Sequence, residues 1–138
     1  MQLYPTLMSN VLLDTNILIL ALRRNSTALS LLERFIADGD ALFVSAVTRT
    51  EILAGMHPRE EEATFALLNL IPVLPVDVTI ADRAGRLIYT YARQGIQFSL
   101  PDAMIGATAL QDNLLLYTTN RKHYPFPSLD VRGLPSLE

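Results

Sequence analysis

Short apolar runs alternate along this chain with longer segments whose apolar residues recur at helical spacing. This alternation is typical of an α/β fold with a parallel sheet. The first run, residues 11–13, is apolar throughout and lies close to the start of the chain, which predicts a strand that is buried at the centre of the sheet. The remaining predicted strands are residues 41–44, 73–76, 114–118 and 129–131.

The segments between these strands predict helices, because their ends carry residues that start or stop a helix. Gly39 and Gly95 are placed to end two of them, and Pro72 and Pro75 assign strand 73–76 to an edge of the sheet. Ser45 or Thr48 is expected to cap the helix that contains Glu51. The predicted helices cover about 16–24, 60–70, 79–93 and 101–112; another follows Asn25-Ser26-Thr27 and ends near 37, and the helix that contains Glu51 is stopped near Pro58.

Composition predicts one globular domain over residues 1–138. Half of the residues are hydrophobic (50%) and only 18% are charged, which is enough apolar material for a sizeable core and excludes a disordered chain. No cysteine is present, so disulfide scaffolds, thiolate metal sites and cysteine nucleophiles are excluded. Residues 1–9 do not resemble a secretion signal, and no apolar run is long enough to span a bilayer. We therefore expect a soluble, cytoplasmic protein with no membrane partner.

The formal net charge is −3, and a single lysine accompanies the arginines. Such a chain has no general basic field that would attract a nucleic acid. A polyanionic substrate would have to be recruited locally. A cation bound in an acidic pocket does this, because it reverses the local sign of the charge.

Two aspartates lie at the ends of predicted secondary-structure elements. Asp14 follows the first strand directly, at the edge of the sheet where ligands of parallel sheets gather, and Asp102 follows Pro101, which opens an apolar helix. Neither has a basic neighbour that spacing identifies. A pair of carboxylates of this kind suits a hard divalent cation. The alternative is that each simply favours the start of its helix, as aspartates commonly do.

Three further residues are candidates for chemistry. Glu51 is surrounded in sequence by apolar residues, where a charge is costly unless it pairs with an arginine such as Arg49 or with a metal. Asn120 follows a buried strand and should lie on the same rim as Asp14, although asparagine is also common in turns. His123 is a possible general base, but spacing gives it no partner, and a structural role is the alternative.

Four segments of the chain, in order, resemble the motifs of PIN-domain ribonucleases. The resemblance extends over residues 9–124, nearly the whole chain. Asp14, Glu51, Asp102 and Asn120 each lie in one of the four. The segments are Leu13-Asp14-Thr15-Asn16-Ile17-Leu18, Thr48-Arg49-Thr50-Glu51-Ile52-Leu53-Ala54-Gly55, Pro101-Asp102-Ala103-Met104-Ile105-Gly106-Ala107-Thr108-Ala109 and Thr118-Thr119-Asn120-Arg121-Lys122-His123-Tyr124.

Within this family the sequence is most similar to the VapC-type toxins of toxin–antitoxin pairs. The resemblance implies a three-layer α/β/α sandwich around a parallel sheet of about five strands, a homodimer, a cognate antitoxin, and cleavage of RNA that depends on Mg²⁺ or Mn²⁺. It assigns Asp14, Glu51 and Asp102 to the acidic site. Asn120 takes the fourth position, where many members have aspartate, which leaves three formal charges instead of four.

The chemistry of phosphodiester hydrolysis agrees with this assignment. A metal held by oxygen ligands activates water and stabilises the charge on the phosphate. Asp14 and Asp102 are the expected ligands, Glu51 is expected to orient or deprotonate the attacking water, and Asn120 and Thr118 are expected to position waters or a phosphate oxygen.

Two other classes of function are alternatives for this sequence. A PIN-like module that binds RNA or protein without cleaving it is the first, and the intact acids Asp14, Glu51 and Asp102 argue against it. The second is an aspartyl phosphatase or phosphoacceptor domain. A phosphatase of this type usually has a second aspartate two residues after the first, where this chain has Asn16, and only Lys122 could serve as a phosphoacceptor lysine.

Overall fold

A computed structural model of the protein describes residues 9–134. The strands in this range are β1 (Asn10–Leu13), β2 (Ala41–Ser45), β3 (Val73–Leu74), β4 (Leu115–Thr118) and β5 (Val131–Gly133). The helices are α1 (Thr15–Leu22), α2 (Ser26–Asp38), α3 (Ala46–Gly55), α4 (Glu61–Leu68), α5 (Val78–Ala92) and α6 (Leu100–Gln111). Two 3₁₀ turns complete the list, Pro58–Glu60 and Arg121–His123.

The strands form one parallel sheet in the order β3-β2-β1-β4-β5. As predicted, β1 is central, and Leu12 is in register with Phe43 of β2 and Leu116 of β4. The strand flanked by Pro72 and Pro75 lies at an edge, also as predicted. Because all strands run the same way, the residues that follow β1 and β4 meet at one rim of the sheet.

Helices cover both faces of the sheet, so the α/β sandwich expected from the sequence is confirmed. On one face Val11 and Leu13 pack against the buried residues of α1 and α2, among them Ile17 and Leu31. On the other face Leu12 packs with residues of α6 and β4, and α5 lies against α6. The apolar run of β1 is fully buried because it has a helical layer on each side.

Capping side chains fix where several helices begin. Asp14 caps α1, Asp77 caps α5 and Ser99 caps α6, one residue earlier than a start at Pro101 would require. Of the two caps considered for α3, Ser45 is the one used: its hydroxyl accepts a hydrogen bond from the N–H of Val47 at 3.1 Å.

The final strand was predicted too early in the chain. Leu129 is not part of it, because its N–H donates to the carbonyl of Phe126 in a turn. Leu129 still packs with the apolar cluster beside α6, which explains the misleading pattern. Pairing with β4 begins only where Asp130 accepts from the N–H of Leu116, so β5 covers Val131–Gly133.

None of the helices between residues 9 and 134 is both long enough and apolar enough to cross a membrane. The segment 1–8, on which part of the sequence-based expectation about secretion rests, lies outside the described residues.

Candidate active site

Asp14 lies at the carboxyl end of the central strand, and its two carboxylate oxygens have different partners. Oδ1 accepts a hydrogen bond from the N–H of Thr15 at 2.8 Å, which is the capping interaction of α1. Oδ2 accepts from the hydroxyl of Thr118, on the neighbouring strand β4, at 2.6 Å. The side chain is only 7% exposed. The capping interaction therefore engages only Oδ1 of Asp14, and Oδ2 is held by the neighbouring strand.

Burial raises the pKa of the Asp14 carboxyl above its ordinary value. Hydrogen bonds from Thr118, Thr15 and Tyr124 oppose this shift, and the charge of nearby Asp102 adds to it. The protein itself therefore stabilises the ionised form of the Asp14 carboxyl poorly. A bound cation would supply the missing stabilisation.

Asp102 lies in the first turn of α6, and its N–H donates to the capping hydroxyl of Ser99 at 3.2 Å. The hydroxyl of Tyr124 donates to its Oδ1 at 3.3 Å and also interacts with Asp14, whose pKa it lowers. Tyr124 therefore lies close to both aspartates. Its own pKa is strongly raised by burial and by the two carboxylates, so the phenol keeps its proton and remains a donor.

This role of Tyr124 was not predicted from the sequence. The residue is 3% exposed and packs in the core, where Phe126 is also buried. Gly106 of α6 makes room for both rings: a Cβ at this position would lie 2.6 Å from Phe126 and 3.5 Å from Tyr124. The one available signal was that Tyr124 ends the fourth motif.

His123 gives Asp102 the basic neighbour that spacing did not reveal. Its Nδ1 lies 3.0 Å from Oδ2 of Asp102, because the 3₁₀ turn Arg121–His123 folds over the start of α6. Spacing along the chain identified neither a basic neighbour for Asp102 nor a partner for His123, and the structure brings the two together. Contacts between a turn and a helix that is distant in sequence leave no periodic pattern to detect.

Asn120 lies on the predicted rim, but its side chain contacts His123 and not an aspartate. Its Nδ2 is 2.9 Å from Nε2 of His123. Its backbone N–H donates to the hydroxyl of Thr118 at 3.0 Å. Asn120 is thus linked to Asp102 through His123 and to Asp14 through Thr118.

Glu51 is exposed, so the expectation of a charge held on an apolar surface was wrong. The helix directs Ile52 into the core and Glu51 outward. Arg49 is not its partner, since that guanidinium bonds to Asn69. Instead, Oε1 of Glu51 accepts from the hydroxyl of Thr15 at 2.7 Å, which places Glu51 beside the residue that follows Asp14.

The donor set suits a hard cation that retains water. Asp14 and Asp102 supply carboxylate oxygens at one rim. Across residues 9–134 no group of three or more histidine, aspartate or glutamate side chains is arranged to hold an ion without further ligands. Mg²⁺ is commonly bound by one or two carboxylates and several waters, so two aspartates fit this chemistry.

Comparison with known proteins agrees with the four motifs. The family profile described as PIN domain matches residues 11–128. The chain is 35% identical to Ribonuclease VapC10 of Mycobacterium tuberculosis over 115 residues, which cover 83% of this chain and 86% of that protein. It is 34% identical to Ribonuclease VapC19 of the same species, over 86% of this chain and 95% of the relative.

A solved toxin–antitoxin complex from Klebsiella pneumoniae has a similar fold. It superimposes with a TM-score of 0.73 at 30% sequence identity, over 87% of this chain and 95% of that chain. The similarity in fold therefore extends over most of the chain.

Proposed function

Because the chain belongs to the PIN-domain family, we propose that it is a metal-dependent endoribonuclease and the toxin of a toxin–antitoxin pair. The observation that carries this proposal is the buried carboxylate of Asp14, with its raised pKa, beside Asp102 at the carboxyl rim of the sheet. The names of the relatives VapC10 and VapC19 support ribonuclease activity, and the Klebsiella complex supports an antitoxin partner.

In this proposal Asp14 and Asp102 hold Mg²⁺ or Mn²⁺, directly or through water. The ion would supply a polarised phosphate oxygen and an activated water. The protein contributes a fixed arrangement of oxygens: Thr15 and Thr118 hold the carboxylate of Asp14, and Tyr124 holds that of Asp102. Fixed ligands of this kind need little reorganisation during the reaction.

Glu51 is proposed to orient the attacking water and accept its proton. The hydroxyl of Thr15 engages only Oε1. Within the part of the chain that the structure describes, Oε2 has no hydrogen-bond partner, and the residue is exposed. Water therefore has access to this carboxylate, which lies beside the residue that follows Asp14.

The antitoxin is proposed to bind in a cleft that opens beside Glu51. This cleft has a volume of about 180 Å³ and lies between α1, α3 and α4. Apolar side chains of Ile19, Leu22 and Ile52 line it, together with the charged residues Arg23, Glu51 and Glu60. A partner segment with apolar residues would fill the cleft, and an arginine in that segment would pair with the carboxylates and compete with the cation.

We further propose that residues 1–138 form a single domain that acts in the cytoplasm as a homodimer. The match of the family profile to residues 11–128 supports a single domain. The homodimer and the location rest on the resemblance to VapC-type toxins.

Expression in a bacterial host tests the proposed function. Wild-type protein expressed alone should arrest growth and create new 5′ ends within cellular RNA, whereas Asp14→Asn should do neither. Co-expression of the antitoxin, sought as a small reading frame beside this gene, should restore growth. Equal growth of the two cultures, with soluble wild-type protein, would contradict the toxin function and favour a housekeeping nuclease or a non-cleaving module.

A further inference from the structure

We infer that Asn120 is a positioning residue that orients both aspartates through two separate chains of hydrogen bonds, and that its side chain does not itself bind the metal. This inference rests on the proposed function, since it takes Asp14 and Asp102 as the metal ligands. It assigns to Asn120 a role different from that of a fourth acidic ligand. It also gives His123 a role in the site.

The first chain runs through the backbone of Asn120. Its N–H donates to the hydroxyl oxygen of Thr118 at 3.0 Å. The single proton of that hydroxyl is therefore directed to Oδ2 of Asp14, 2.6 Å away. Because a backbone N–H can only donate, the direction of both bonds is fixed, and Oδ2 of Asp14 is held as an acceptor.

The second chain runs through the side chain of Asn120. Its Nδ2 lies 2.9 Å from Nε2 of His123, and an amide nitrogen can only donate. With Nε2 as the acceptor, the proton of a neutral imidazole is on Nδ1, which lies 3.0 Å from Oδ2 of Asp102. The amide of Asn120 and the carboxylate of Asp102 thus favour the same tautomer of His123.

This polarity explains why an asparagine suits position 120 in this chain. An aspartate there would present two acceptors to Nε2 and could not donate to it. The arrangement is comparable to metal sites in which a side chain outside the ligand set fixes the orientation of a ligand, and loss of such partners typically costs 10- to 100-fold in metal affinity or activity. His123 is half-exposed, so this chain depends on hydrogen bonds more than on packing.

The first test is a double-mutant cycle on Mn²⁺ affinity, measured by calorimetry without RNA. Asn120→Ala and His123→Ala should each weaken binding about 10-fold or more. The double variant should bind within about twofold of His123→Ala, because the side chain of Asn120 acts through His123, and the backbone N–H that serves the first chain is kept in alanine variants. Lys122→Ala, in the same turn, is the matched control and should change affinity by less than about twofold. Losses that multiply in the double variant would overturn the inference.

The second test reads the tautomer of His123 in the metal-free wild-type protein by ¹⁵N NMR at mildly alkaline pH. The chain contains two histidines, so exposed His57 serves as an internal reference. We expect the proton on Nδ1 of His123 in wild type, and we expect the ring ¹⁵N shifts to depart from this pattern in Asn120→Asp, which offers Nε2 only acceptors. A wild-type ring with its proton on Nε2, or with both nitrogens protonated, would overturn the inference even if the variants fail to fold.

These readouts separate this inference from the proposed function. If the protein fails to cleave RNA but the cycle and the tautomer are as expected, only the ribonuclease proposal falls. If the protein cleaves RNA but the losses of Mn²⁺ affinity multiply in the double variant, the proposed function stands and the role of Asn120 is contradicted.

Discussion

The aspartate pair and Glu51 are neighbours in the candidate site, yet the protein holds them in very different ways. Asp14 is buried, and its two oxygens receive hydrogen bonds from two elements of the fold, while Tyr124 lies close to both Asp14 and Asp102. Glu51 is exposed and is held by the hydroxyl of Thr15. The buried pair suits a bound cation, whereas the exposed carboxylate suits an exchanging water or a competing partner.

The largest effect should come from the buried pair. Asp14→Asn and Asp102→Asn should each lower the rate of RNA cleavage by about 10³-fold or more, because a metal ion contributes several kcal/mol to such reactions. Initial rates on a labelled RNA measure this. Asp112→Asn, an exposed aspartate that follows the other end of α6, is the control and should retain full activity. Substantial cleavage by either site variant would remove that aspartate from the site.

Glu51→Gln should distinguish the role of Glu51 from that of the aspartate pair. We expect cleavage to fall about 10²- to 10⁴-fold, the range for loss of a general base, while Mn²⁺ affinity changes by less than about twofold. Glu62→Gln, on the exposed face of α4, is the matched control. A loss of Mn²⁺ affinity as large as that of Asp14→Asn would make Glu51 a metal ligand and erase the distinction.

Thr15→Val should have a smaller effect that reaches the reaction through Glu51. It removes the hydroxyl that orients Glu51 and that also bonds to the buried hydroxyl of Thr48 at 3.0 Å, but it keeps the backbone N–H that donates to Asp14. One hydrogen bond contributes about 0.5–1.5 kcal/mol, so cleavage should fall about 2- to 10-fold with unchanged Mn²⁺ affinity. Calorimetry and initial rates on the same preparation measure both quantities. A fall in Mn²⁺ affinity without a fall in the rate of cleavage would contradict this assignment of roles to Glu51 and the aspartate pair.

The smallest effect concerns stability in the presence of a chelator. The pKa of Asp14 is raised above 3.8 in the folded protein, so the native state holds this proton more tightly than the unfolded chain. Its contribution to stability is present below the unfolded value and is lost as pH rises through the folded pKa. Wild type should therefore lose a few degrees of Tm relative to Asp14→Asn over this window. Identical pH profiles of the two proteins would contradict a destabilised carboxylate.

The position of Asp14 in the fold could be predicted from the sequence because two general patterns determine it. The apolar run of β1 identified the central strand, and the parallel order of the sheet placed Asp14 and residues 118–120 on the same rim. Capping and binding were alternatives for Asp14 in the sequence, and the structure shows that capping engages only Oδ1, while Oδ2 accepts from Thr118.

The environment of Glu51 and the contacts of His123 could not be predicted in the same way. Three apolar residues in a row after Glu51 do not define which face of α3 is buried, and only Ile52 among them is. His123 and Tyr124 reach Asp102 through a turn whose path depends on packing against Gly106. Such contacts depend on tertiary structure and have no periodic signature in the sequence.

The most direct test of the central claim, that the aspartate pair acts through a divalent cation, is cleavage of a structured RNA by the purified protein in excess chelator and again after Mg²⁺ or Mn²⁺ is restored. The account predicts no cleavage in chelator, internal cleavage when the metal is restored, and none by Asp14→Asn in either condition. Full activity of the wild-type protein in excess chelator would contradict it.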